Sequence, residues 1–166
     1  MIENKVAKSP LITIDLEDFY PKNPRVQLDI SPWLFQGMIL REKEFRAFLE
    51  EVNWSDYQGQ FVALYCSEDA IIPAWAYLLL STKLTPYAKK IVVGSLDLLE
   101  DYIFQDIINE MDVEQFRDRP VIIKGCAKVD IPESAYTNLI SKIHPVVKSL
   151  MFGEACSTVP LYKRKK

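Results

Sequence analysis

A repeat at a spacing of 59 residues constrains this chain more than any other feature. Ile72-Pro73-Ala74-Trp75-Ala76-Tyr77 aligns with Ile131-Pro132-Glu133-Ser134-Ala135-Tyr136, and the match continues through Leu80 and Leu139, Lys83 and Lys142, Pro86 and Pro145, Lys89 and Lys148, and Gly94 and Gly153. Nine of the 23 positions from 72 to 94 are identical, where unrelated segments would share about one or two. The shared residues are those that punctuate a fold. The first proline of each copy starts a helix, the lysine faces the negative end of the helix dipole, the second proline stops the helix, and the glycine ends the next strand.

Each copy therefore predicts strand, helix, strand. Phe61 to Cys66 is a continuous apolar run, as expected of a strand buried on both faces. Pro73 to Leu84 is a helix that is apolar nearly all round, and Ile91-Val92-Val93 is a second strand. Ser95 caps a helix reaching about Met111, with Leu99, Ile103 and Ile107 on one stripe. In the second copy, Val121-Ile122-Ile123 is a strand, Pro132 to Ile143 a helix and Ser149 to Phe152 a strand, with a short last strand at Val159 to Lys163. This alternation predicts an α/β fold with a mostly parallel sheet, flanking helices and two repeated βαβ units, at about 61–94 and 120–153.

Upstream, Leu11 to Glu17 and Arg25 to Ile30 alternate apolar and polar residues around the turn-rich Tyr20-Pro21-Lys22-Asn23-Pro24, which predicts an N-terminal β-hairpin. Ser31-Pro32 reads as a helix start, and Phe45, Phe48, Leu49 and Val52 form an apolar helical stripe. The expected organisation is a single α/β domain over 1–166: hairpin and helix at 10–55, duplicated region at 60–156, and the basic tail Lys163 to Lys166.

The 166 residues suffice for a real core. Twenty Lys and Arg against 23 Asp and Glu leave a net charge of −3, the wrong sign for nucleic acid as the main partner. No apolar stretch approaches the roughly 20 residues of a membrane span, and Met1-Ile2-Glu3-Asn4-Lys5 lacks the apolar core of an export signal. The expectation is a cytoplasmic chain whose three cysteines are reduced.

Those cysteines are the main candidate for chemistry. Cys66 and Cys126 end the first strands of the two copies, seven and six residues ahead of Pro73 and Pro132, and read as pseudo-equivalent positions. Cys156 follows Gly153, and its mate in the first copy is Asp97. All three thus fall at carboxyl ends of strands, the edge where open α/β sheets bind ligands. Thiolates suit zinc or an iron–sulfur centre, so the candidate metal ligands are Cys66, Cys126 and Cys156. Asp97 is the fourth, with Asp69, Glu154 or a water as substitutes. The competing reading is that each cysteine is a small residue packed at a strand end. Spacings of 60 and 30 residues match no compact zinc motif.

Other candidates are weaker. Asp15, Glu17 and Asp18 resemble a carboxylate patch, but alternation assigns Asp15 and Glu17 to a solvated strand face. Ser67-Glu68-Asp69 at a helix start carries acids that repel an anion. His144, the sole histidine, reads as a helix-end cation. Trp33, Trp54, Trp75, Tyr57 and Tyr77 read as core or interface aromatics. The chain has no Gly-rich phosphate loop and no nucleophile elbow. A thiol-dependent enzyme would also need a base that the sequence does not supply.

Three segments carry a resemblance. Leu11-Ile12-Thr13-Ile14-Asp15-Leu16-Glu17-Asp18-Phe19, Trp33-Leu34-Phe35-Gln36-Gly37 and Gly153-Glu154-Ala155-Cys156-Ser157-Thr158-Val159-Pro160-Leu161-Tyr162 are similar to a bacterial family of unknown function. The similarity covers nearly the whole chain, including the segments around Cys66 and Cys126. The family transfers no catalytic residues. The resemblance implies genes that often lie near iron–sulfur cluster assembly genes, and with them an accessory role beside that machinery. Two functions are therefore expected: a metal- or iron–sulfur-handling protein using the thiols, or a non-catalytic interaction or oligomerising domain with structural cysteines.

Overall fold

The computed structural model describes residues 10–154 and 156–165. Met1 to Lys5, searched for an export signal, and Lys166 at the end of the basic tail lie outside the described residues. Seven strands and four helices alternate as β1 (Ile12–Ile14), β2 (Arg25–Asp29), α1 (Glu42–Glu51), β3 (Phe61–Tyr65), α2 (Ala74–Leu84), β4 (Lys90–Val93), α3 (Leu96–Glu110), β5 (Pro120–Ile123), α4 (Glu133–Ile143), β6 (Ser149–Glu154) and β7 (Ser157–Lys163). The α/β class and both repeated βαβ units are present. The helix caps follow the sequence: Ser95 Oγ accepts from Leu98 N–H at 3.1 Å, and Pro73 and Pro132 stand immediately before α2 and α4. Among the described residues no helix is long and apolar enough to cross a membrane.

The strands form two sheets, not one. One has the order β2-β3-β4, all parallel, and the other β1-β5-β6-β7, parallel except for the antiparallel β7. Each βαβ unit takes its third parallel strand from the N-terminal region. β1 pairs with β5 (Ile14 beside Ile123) and β2 with β3 (Leu28 beside Leu64). The expected N-terminal hairpin is therefore absent. Alternation marked both strands correctly but does not name a partner, and the proline-flanked linker is not a tight hairpin turn. β1 is also shorter than the alternation suggested. It ends at Ile14, and Leu16–Phe19 wind into a single 3₁₀ turn. Ser31-Pro32 likewise opens only a 3₁₀ turn, Ser31–Trp33, rather than a helix.

The chain divides into two compact units. One comprises the residues up to Pro21 together with Phe104 onward, and the other Lys22–Ile103. The first has a core of Ile14, Leu16, Phe104, Ile108, Val121, Ile123, Leu139, Ile143, Val147 and Leu150. The second is built around Ile30, Phe45, Leu49, Val62, Leu64, Ala76, Leu80 and Leu84. Phe45 lies edge-on between Trp33 and Trp75, at ring separations of 5.7 and 5.8 Å. Trp54 is buried and donates its indole N–H to Leu49 O at 2.9 Å. The tryptophans thus join the second unit's core. In the same unit the Arg25 guanidinium on β2 pairs with the Glu100 carboxylate on α3.

Candidate functional site

An aspartate stands at the end of β2 and another directly after β1, and the two occupy matched places. Ile14 pairs with Ile123 and Leu28 with Leu64, and residues 123 and 64 are repeat mates. Asp15 and Asp29, next along each strand, are therefore counterparts. Each accepts a hydrogen bond at 2.9 Å from the backbone N–H two residues on, Glu17 for Asp15 and Ser31 for Asp29. Each so closes an Asx turn leading into a 3₁₀ turn. The duplication thus extends to the first strand of each unit, at a spacing of 14 residues rather than 59. Short matching segments such as Ile14-Asp15-Leu16 and Leu28-Asp29-Ile30 were the only signal for it.

The two carboxylates then differ. Asp29 is held by four hydrogen bonds. Oδ1 accepts from the backbone N–H of Ser31 (2.9 Å) and Ser67 (3.0 Å), and Oδ2 faces the hydroxyls of Ser31 (2.8 Å) and Ser67 (2.6 Å). Burial alone would raise its pKa. The donors outweigh burial and hold the group at about 2. Asp15 instead accepts from Lys124 Nζ at 2.8 Å, while Glu17 accepts the Lys128 N–H at 2.9 Å. The hydrogen bond and charge of Asp15, followed by the charges of Glu154 and Glu17, raise the Lys124 pKa. Asp15 and Glu17 are therefore not a solvated strand face. They tie the turn after β1 to the segment after β5. The repeat tyrosines on α2 and α4 lie close to these edges. Burial raises Tyr77, with Cys66 adding to it, and burial raises Tyr136, with Asp15 and Cys126 adding to it.

The cysteines occupy strand ends as expected, but Cys66 and Cys126 are not equivalent. The 59-residue spacing holds without a break from β3 through α2, so the mate of Cys126 is Ser67 and the mate of Cys66 is Gly125. The six- and seven-residue distances to the following proline differ for this reason. Cys66 is half-buried, Cys126 and Cys156 are exposed, and all three are free thiols. Cys66 and Asp97 belong to the second unit, and Cys126 and Cys156 to the first. Among the described residues no three His, Cys, Asp or Glu side chains come together to hold a metal ion. His144 caps the C-terminus of α4 and lies 4.1 Å from the Tyr162 ring.

The two units differ most clearly in the apolar residues they expose. α2 and α4 share their inward faces (Ala76 with Ala135, Leu80 with Leu139, Leu84 with Ile143), all fully buried. Their outward faces diverge. On and before α4 the mates are Asp130, Glu133 and Thr137. On and before α2 they are Ile71, Ala74 and Leu78. Leu78 is 66% exposed and Ile71 92% exposed. Along β4 a groove of about 420 Å³ is lined by Lys90, Ile91, Val92, Val93, Leu98 and Tyr102.

Fold and surface together define a duplicated α/β protein whose halves keep one internal plan and differ in what they present outward. The chain belongs to the family described as "Protein of unknown function (DUF2480)", whose model matches residues 1–164. No curated protein matches the chain, and no solved structure does.

Proposed function

We propose that this protein is a non-catalytic protein-interaction domain whose working surface is the apolar outward face of the second unit. The observation that carries the reading is the divergence between the repeats. Where α4 and its preceding turn place Asp130, Glu133 and Thr137, α2 and its turn place Ile71, Ala74 and Leu78. Duplication began both helices alike, and the polar copy shows that the fold itself needs no apolar residue there. Exposed leucine and isoleucine on such a face mark a surface that another macromolecule covers. The matched aspartates, serines and Lys124 are held in hydrogen bonds that close turns. The thiolate reading, with zinc or an iron–sulfur centre as cargo, has no corresponding observation behind it. Iron–sulfur assembly proteins remain among the partners that the surface could take.

A photo-crosslinking amino acid placed at position 78 in growing cells tests the reading, with the same probe at position 137 as control. Discrete protein adducts from 78 and none from 137 are expected. Absence of adducts from 78 would overturn it.

A further inference from the structure

Resting on that reading, we infer that the partner of this surface is a second copy of the chain, joined by antiparallel pairing of β4 with its counterpart across a two-fold axis. The argument starts from the two sheet edges that the repeat makes equivalent. In the first unit the outer edge of β6 is filled by β7, antiparallel, from Ser149 beside Lys163 to Glu154 beside Ser157. The equivalent strand in the second unit is β4, and among the described residues no strand pairs beyond it, the groove alongside being bordered by Leu98 and Tyr102 of α3. The segment that would correspond to β7 is instead the helix α3.

The free side of β4 is a hydrogen-bonding edge. Gly94 N–H bonds to Leu64 O on β3 at 2.9 Å, so the alternation of a strand turns the N–H and C=O of Val93 and Ile91 away from β3. These groups have no hydrogen-bond partner among the described residues. Natural sheets blunt such edges with proline, bulges or charge. β7, the outer strand of the other sheet, carries Pro160, and its pairing with β6 has a bulge at Leu150/Met151. β4 has neither proline nor bulge, and its one charge, Lys90, stands at its start.

The side chains agree with the backbone. In the first unit Thr137 on α4, Phe152 on β6 and Leu161 on β7 line one groove. The repeat mates of Thr137 and Phe152 are Leu78 and Val93, 66% and 48% exposed. What the second unit lacks is the third wall, a strand beside β4.

A copy of β4 supplies that wall, and the register is self-complementary. With the two-fold axis at Val92, Ile91 faces Val93 of the second copy and Val93 faces Ile91. Both form hydrogen-bonded pairs, and the edge groups of both strands are used. The charges also match. Antiparallel pairing brings Lys90, at the start of β4, toward the end of the other β4. There the first turn of α3 carries Asp97, exposed and with no ion-pair partner among the described residues. The two-fold axis makes this pairing twice.

Sedimentation velocity on the purified full chain tests the inference, with circular dichroism melts to show that each variant folds. The wild type is expected to sediment as a dimer. Val93→Lys places a charge on the exposed face of the pairing strand and is expected to give a monomer with an unchanged melt. Asp97→Lys is expected to raise the dimer dissociation constant severalfold, and the double variant Lys90→Glu, Asp97→Lys to restore it. A monomeric wild type at every concentration tested would overturn the inference, and so would a dimer indifferent to Val93→Lys. Either result together with adducts of another protein at position 78 would leave the interaction surface standing and remove only the second copy as its occupant.

Discussion

Ser67 and Asp29, 38 residues apart, are joined twice: Ser67 N–H reaches Oδ1 at 3.0 Å and Ser67 Oγ reaches Oδ2 at 2.6 Å. This clasp fastens the end of β2 to the segment after β3. It is strongest with the carboxylate ionised, which is why the group titrates at about 2 rather than at its ordinary 3.8. A depressed folded-state pKa contributes stability that is complete above the unfolded value and lost as pH falls through the folded one. The Asp29 contribution should therefore fade between 3.8 and about 2. Because the group is partly exposed, Asp29→Asn is expected to cost only about 1 kcal/mol at neutral pH. The variant should also lose part of the pH dependence in that window, as read by urea unfolding at a series of pH values.

Leu80 and Leu139 are repeat mates, both fully buried, each in its own core. Truncation to alanine leaves a cavity in either, and each is expected to lose about 2–5 kcal/mol. Calorimetry on Leu80→Ala and Leu139→Ala should show comparable destabilisation. A near-neutral change at one of them would break the equivalence of the two halves.

Gly94 and Gly153 are mates with positive φ, +145° and +122°. A Cβ on Gly153 would stand 2.6 Å from the Ser157 carbonyl oxygen, whereas on Gly94 it would meet the end of the Leu98 side chain at 2.7 Å. A leucine methyl can rotate away and a backbone oxygen in the β6–β7 pairing cannot. Both alanine variants carry backbone strain of about 1–3 kcal/mol. Gly153→Ala is expected to cost more than Gly94→Ala in thermal melts.

Much of this was legible in the chain. Proline, lysine and glycine at fixed offsets fixed two βαβ units, because each of those residues serves a local backbone need that does not depend on distant partners. Strand pairing was not legible. β1 meets β5 across more than 100 residues of chain, and the alternation of Ile12 and Ile14 fits any sheet. The expected hairpin and the expected single sheet failed for this one reason. The repeat equivalence expected of two of the thiols also differs. Cys66 and Cys126 do follow β3 and β5, but those strands belong to different sheets, and Cys126 is the mate of Ser67. The role of Asp15 and Asp29 was hidden because a carboxylate at a strand end looks the same in sequence whether it faces water or closes a turn. The apolar character of α2 was plain from Trp75, Leu78, Leu79 and Leu80. Which of them point outward needed the coordinates.

The thiols themselves are open to test. Exposed Cys126 and Cys156 are expected to react with a thiol reagent ahead of half-buried Cys66. Replacement of Cys126 or Cys156 by serine is expected to change stability by no more than about 0.5 kcal/mol. Elemental analysis belongs beside these measurements. Stoichiometric zinc or iron that is lost in any one Cys→Ser variant would restore the metal reading.

The most direct test of the interaction reading is the size of the native species in fresh extract, compared between the wild-type chain and Leu78→Lys. Leu78 is exposed, so the substitution should leave stability within about 0.5 kcal/mol. The account predicts that wild type elutes well above the mass of one chain and that Leu78→Lys elutes at that mass, still folded. Wild type and variant both eluting as single chains would contradict it.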